Sequence, residues 1–173
     1  MNYKTKLKEI KAFVFDCDGV LTDGSITLMS NGDQIRKMNT RDGYALQLAV
    51  KKDFIVSVIT GGRSKAIKSR MNGLGVKDVY LACQNKVQAL NELINIYGIK
   101  HKEVLYMGDD LPDYDVMQIV GLPTCPDNAA HEIKNISKYI SHKKGGEGCV
   151  RDVIEQTMKI QEKWITETNI PSI

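Results

Sequence analysis

At 173 residues, with 42% hydrophobic and 26% charged residues and a net charge of +3, the chain is long enough for one domain with a proper core and too short to expect two. Its basic residues are interspersed with acidic ones, which gives nucleic-acid binding no support. The apolar run Ala12-Phe13-Val14-Phe15 behind the basic N-terminus is too short for a signal peptide or a membrane span, so a cytoplasmic protein with no membrane partner is expected.

In chain order, short and nearly continuous apolar runs fall at Phe13–Phe15, Ile55–Ile59, Val79–Leu81 and Val104–Met107, as expected for parallel strands buried on both faces. Between them lie stretches with helical spacing. Ile67, Met71 and Leu74 form one, and Val87, Leu90, Ile94 and Tyr97, with Gly98 as the stop, form another. Such alternation predicts one α/β domain over 1–173 with right-handed crossovers, its chemistry gathered at the carboxyl ends of the strands. A β-hairpin is expected within about 25–39, because Ser25–Met29 and Gln34–Asn39 flank Ser30-Asn31-Gly32-Asp33. A glycine loop, Lys143 to Gly148, should lead into a final helix from Val150 to about Ile165, a C-terminal unit over about 143–165. Cys17, Cys83, Cys125 and Cys149 are widely separated, with no C-x-x-C pair, and are expected as free thiols.

The first strand runs into Asp16-Cys17-Asp18-Gly19. Two like charges so close raise one carboxyl's pKa unless a cation neutralises them, which suggests a divalent metal, a proton-transfer carboxyl, or both. An Asp–Gly turn after a strand is also common, so this pair alone decides nothing. The second strand ends in Thr60-Gly61-Gly62-Arg63 before a helix, where backbone N–H groups and a hydroxyl can hold an anion. Lys86 opens the helix after the third strand; alone it reads as a surface lysine. The fourth strand ends in Gly108-Asp109-Asp110-Leu111-Pro112-Asp113. Helix capping explains one of those acids but not three, and hard oxygen ligands from two strand ends would suit Mg²⁺.

In this order, the D-x-D, the Thr, the Lys and the acidic group resemble the four motifs of the haloacid dehalogenase superfamily, from about residue 12 to 121. The resemblance implies a three-layer Rossmann-like fold with a central parallel sheet. It implies Asp16 as nucleophile and metal ligand, and Asp18 as general acid/base with its carbonyl on Mg²⁺. Thr60 and Lys86 would hold the phosphoryl oxygens, Asp109 would be a ligand, and Asp110 with Asp113 would support the metal. A carboxylate nucleophile splits one hard displacement into two easier ones through an aspartyl phosphate.

Other classes fare worse. Cys17 has no following phosphate-loop Arg, and no G-x-x-x-x-G-K-[ST] occurs. A receiver-like phosphoacceptor domain uses similar groups but puts its acidic pair first and its Lys last, whereas here the acidic triplet follows Lys86.

Neither the stretch from Asp16 to Thr60 nor that from Thr60 to Lys86 has room for a cap domain beyond the protruding hairpin. Phe15 to Gly24, Asn39-Thr40-Arg41-Asp42-Gly43-Tyr44-Ala45, Thr60-Gly61-Gly62-Arg63 and Gly145-Gly146-Glu147-Gly148 resemble a capless branch, the 3-deoxy-D-manno-octulosonate 8-phosphate (KDO 8-phosphate) phosphatases of lipopolysaccharide sugar biosynthesis. This resemblance implies a sugar-acid phosphate substrate and a homotetramer built through the hairpins, with each C-terminal segment closing a neighbour's site. Asp42, Gly43, Gly61, Gly62, Arg63, Arg70, Lys86, Gly146 and Glu147 are the candidate substrate-binding residues. Cations are the expected readers of the acid's carboxylate. Glu147 departs from the Arg common in that branch, and the related phosphatases of the nine-carbon acid 2-keto-3-deoxy-D-glycero-D-galacto-nononic acid (KDN) can carry Glu there, so KDN 9-phosphate is the alternative substrate.

Overall fold

The structure is a computed structural model and describes residues 2–164. The chain folds as α1 (Tyr3–Leu7), β1 (Ala12–Phe15), β2 (Thr27–Leu28), β3 (Gln34–Ile35), α2 (Thr40–Lys51), β4 (Ile55–Ile59), α3 (Lys65–Gly73) and β5 (Asp78–Tyr80). It continues through α4 (Lys86–Tyr97), β6 (Val104–Met107), α5 (Tyr114–Ile119), β7 (Leu122–Cys125), α6 (His131–Ile136), β8 (Tyr139–Ile140) and α7 (Cys149–Ile160). Six strands form one parallel sheet in the order β5-β4-β1-β6-β7-β8.

The continuous apolar strands are explained by two cores. Along β1, Phe13 and Phe15 join a cluster that includes residues of α1, α2, α3 and α7, while Ala12 and Val14 join another built with α4, α5 and α6. Leu105 and Met107 of β6 divide from Val104 and Tyr106 in the same way. A period of two therefore sends apolar side chains into both layers, which is why the run is apolar throughout.

The chain steps from β1 outward to β4 and β5, then returns to the other side of β1 as β6. The crevice at this switch point lies at the carboxyl ends of β1 and β6, where open α/β sheets place their ligands. Among the described residues no cap domain covers it. The hairpin forms with Gly32 in the left-handed region at φ 88°, but its strands are only two residues each, shorter than the expected runs Ser25–Met29 and Gln34–Asn39. Both strands are exposed and unsupported by the sheet, tied at the base by one bridge between Thr22 and Met38. Strand β5 sits one residue earlier than expected. The final helix starts at Cys149 and stops at Ile160; the expected end at Ile165 lies outside the described residues. All four cysteines are free. Among the described residues, no helix is long and apolar enough to cross a membrane.

Candidate active site

Strand β1 delivers Asp16 to the sheet edge and fixes its backbone through Asp16 N–H donating to Met107 O of β6 at 3.0 Å. The residue is 8% exposed. Lys86, at the first position of α4, is buried too, and its Nζ lies 3.0 Å from Asp16 Oδ1 and 2.7 Å from Asp113 Oδ1. Tyr106 Oη donates to the same Asp113 oxygen at 2.7 Å, and Asp109 N–H donates to Asp113 Oδ2 at 3.2 Å. Asp113 is therefore held from three sides, and Lys86 is a buried ion-pair partner rather than a surface lysine.

One carboxylate oxygen from each of Asp16, Asp109 and Asp113 lies within 4.8 Å of the others. Such a donor set fits a hard divalent cation that takes few carboxylates and keeps waters. Two glycines make the cluster possible. A Cβ on Gly19, which sits at φ +85°, would run into the Asp109 carboxylate, and one on Gly108 would run into Asp113. Burial, first, and then Asp113 push the Asp16 carboxyl up to about 7, and burial followed by Asp113 and Asp110 does the same for Asp109.

Both carboxyls thus keep protons in the folded, metal-free protein over a range where the unfolded chain has lost them. Stability of the metal-free protein should fall as pH rises from about 4 toward about 7, the reverse of a salt-bridged carboxylate. A bound cation needs those protons gone. Mg²⁺ is expected to bind more tightly as pH rises through about 7 and to release protons as it binds. Calorimetric titration in buffers of different ionisation enthalpy measures both; affinity independent of pH would contradict it.

Other expected residues lie around this centre. Asp18 is turned to Arg36 of the hairpin, which donates Nε to Oδ1 at 2.6 Å and a terminal nitrogen to Oδ2 at 3.1 Å. Asp110 is exposed and caps the following turn through Leu111 N–H at 2.8 Å. Thr60 is buried at the end of β4, its hydroxyl accepting from Gly62 N–H at 3.1 Å. A Cβ placed on Gly62 would stand 3.3 Å from Thr60 Oγ1 and 3.7 Å from Asp18 Oδ2, so the β4 glycine turn abuts the Asp18 side of the centre. Gly61 beside it is exposed.

Arg63 and Arg70 line a cleft of about 920 Å³ between the hairpin and α3, and Arg36 lines it with them. Arg36 has no counterpart among the expected site residues. A basic residue just after an Asn-Gly hairpin turn is unremarkable in sequence; its signal is only that the chain must fold back toward β1. Gly43 gives Arg70 its place, since a Cβ there would come 2.7 Å from the Arg70 guanidinium.

Asp42 is buried at the start of α2, and its Oδ1 accepts from Arg151 N–H at 2.7 Å, so it caps α7. Burial pushes its carboxyl up to about 6. The glycine loop lies on the turn that follows β1: Gly146 N–H donates to Val20 O at 2.9 Å, and a Cβ on Gly145 would strike Gly19 O. Glu147 is exposed and faces a second cleft, of about 880 Å³, with Arg41, Lys143 and Arg151; Arg151 itself pairs with Glu155 at 3.0 Å. Of the expected substrate residues, Arg63 and Arg70 thus line one cleft and Glu147 the other.

A model of haloacid dehalogenase-like hydrolases matches residues 79–154. The 3-deoxy-D-manno-octulosonate 8-phosphate phosphatase KdsC of Salmonella typhi is 35% identical over 159 residues, 92% of this chain and 85% of that protein. The chain belongs to the haloacid dehalogenase superfamily. Its structure superposes on the Moraxella catarrhalis 3-deoxy-D-manno-octulosonate 8-phosphate phosphatase, solved with a magnesium ion, a phosphate ion and KDO, with a TM-score of 0.90 and 34% identity over 93% of this chain and 92% of that one. The cobalt-bound Haemophilus influenzae phosphatase gives a TM-score of 0.87 and 29% identity over 91% and 92%.

Proposed function

We propose that this protein is a Mg²⁺-dependent phosphatase that hydrolyses KDO 8-phosphate to KDO and phosphate, a step of lipopolysaccharide sugar biosynthesis. The carrying observation is the buried Asp16, Asp109 and Asp113 cluster joined to Lys86, in a chain similar over nearly its whole length to phosphatases of that substrate.

In this reading an Asp16 oxygen attacks phosphorus and the bond to the sugar oxygen breaks, leaving an aspartyl phosphate. Asp18 gives the departing oxygen its proton. It then takes a proton from water, which attacks phosphorus and returns Asp16 as a carboxylate with free phosphate. Asp16, Asp109 and Asp113 would hold Mg²⁺, which supplies charge neutralisation at the phosphoryl oxygens when bound. Lys86 adds a fixed positive charge beside the nucleophile, and Thr60 with the Gly61-Gly62 turn offers donors to the same oxygens. The cleft bearing Arg63 and Arg70 is where a sugar carboxylate finds cations.

The hairpin supports a homotetramer. Leu28 is 76% exposed and Ile35 52%, with Ile26 and Met29 beside them, on a ribbon whose edges are unpaired. An apolar open ribbon invites pairing with other copies. A side-by-side panel of KDO 8-phosphate, KDN 9-phosphate and neutral sugar phosphates, run on protein sized by light scattering, tests both parts. KDO 8-phosphate is expected to give the highest kcat/KM, with tetramers at micromolar protein. Preference for the nine-carbon acid would move the assignment to the alternative substrate, and a fully active monomer would remove the shared-site arrangement.

A further inference from the structure

The reading above needs Asp18 free to give up a proton, yet both of its carboxylate oxygens are held by Arg36. Arg36 is an unusual hairpin residue. Its neighbours Ile35 and Lys37 are exposed, while its own side chain is 8% exposed and turned inward beneath the ribbon. It stands at the junction of two regions. One guanidinium nitrogen lies 3.9 Å from where a Cβ of Gly62 would be, beside Thr60, and the same side chain walls the cleft shared with Arg63 and Arg70.

Resting on the sugar-acid reading, we propose that Arg36 is a specificity-determining latch. It holds Asp18 in the substrate-free enzyme and passes to the carboxylate of the arriving substrate, which frees Asp18 to take up a proton from solvent and give it to the leaving oxygen.

Two physical points carry this. A planar guanidinium makes the same two-bonded fork to any carboxylate, so Asp18 and a sugar acid compete for one partner on equal chemical terms. The exchange also disturbs no core packing, because the hairpin is a short exposed ribbon outside the main sheet. A phosphate ester without a second anion offers Arg36 no carboxylate, and its phosphate is already taken up by Lys86, Thr60 and the Gly61-Gly62 turn in this reading. It would meet an Asp18 that is still clamped, which gives an uncapped, open site a means of refusing ordinary sugar phosphates.

The test compares kcat/KM of wild type, Arg36→Ala and Arg36→Lys for KDO 8-phosphate and for glucose 6-phosphate, a primary sugar phosphate with no carboxylate. Wild type should favour the sugar acid. In Arg36→Ala the sugar-acid value should fall roughly ten- to a hundredfold, as for a lost charge-assisted fork. The glucose 6-phosphate value should rise severalfold, because Asp18 is no longer held. Arg36→Lys keeps the charge but cannot form the fork, and should shift both values in the same opposed directions by smaller factors. It carries the comparison if the alanine variant does not fold. A purely structural role for Arg36 would lower both substrates by one common factor, and that result overturns the latch while leaving the substrate reading intact. A wild type that favours glucose 6-phosphate overturns the substrate reading, and the latch with it.

Discussion

Asp16→Asn is expected to abolish turnover, with kcat falling by at least about 10⁴-fold, while the fold is kept. The amide fills the same space at the end of β1 and still leaves Lys86 paired with Asp113 at 2.7 Å, so no buried charge is stranded. What it lacks is a carboxylate oxygen able to form an acyl phosphate. The substitution also takes one oxygen from the three-carboxylate cluster, so Mg²⁺ should raise the melting temperature of the variant less than that of wild type. Circular dichroism establishes the fold, steady-state assay gives kcat, and melting with and without Mg²⁺ reads the cation. Undiminished phosphatase activity in a folded variant would end the nucleophile assignment for Asp16. Activity lost with the Mg²⁺ shift fully preserved would keep the nucleophile and remove Asp16 from the ligand set.

Much of this centre was legible because strand ends in a parallel sheet converge. Runs that are apolar on both faces mark the strands, and β4 and β6 occupy the residues that their runs define. Once Asp16, Thr60, Lys86 and the Asp109 group are assigned to strand ends and helix starts, topology alone brings them to one edge. Strand β7 was not legible, since Pro123 interrupts a four-residue run, and β8 was not, since two residues carry no period. The hairpin was legible from Asn31-Gly32, but its length was not, because an exposed ribbon lacks the buried face that would define where strands end.

Side-chain partners were the least legible feature. Spacing placed Asp18 beside Asp16 but could not show that Arg36, eighteen residues on, would claim both its oxygens. Asp42 looked like a site residue by its motif. Its carboxylate is engaged by the start of α7, a contact spanning 109 positions that no local pattern encodes. Composition does not show that an aspartate at the start of one helix will also tie down another.

Lys86→Met should destabilise the metal-free protein by ~3–5 kcal/mol, because removing one partner of a buried ion pair strands the others. Among the described residues, the ammonium is the cationic partner of both Asp113 and Asp16, at 2.7 and 3.0 Å, and all three groups are buried. Methionine matches the stem in volume, so the loss is electrostatic rather than a cavity. At that size the melting temperature should drop by roughly 10 °C at neutral pH. Acidification should narrow the gap, since a stranded carboxyl that takes up a proton is no longer a buried charge. Mg²⁺ should narrow it too, by supplying positive charge to the same carboxylates, so the variant should show the larger metal-induced rise in melting temperature. Activity with saturating Mg²⁺ should still be down by about 10²–10³-fold, because a fixed positive charge beside the phosphoryl group is missing in the transition state. Scanning calorimetry at acidic and neutral pH, with and without Mg²⁺, separates these effects. An unchanged melting temperature in metal-free buffer at neutral pH would mean that Lys86 offsets no buried negative charge there, and the electrostatic account of the centre would have to be rebuilt.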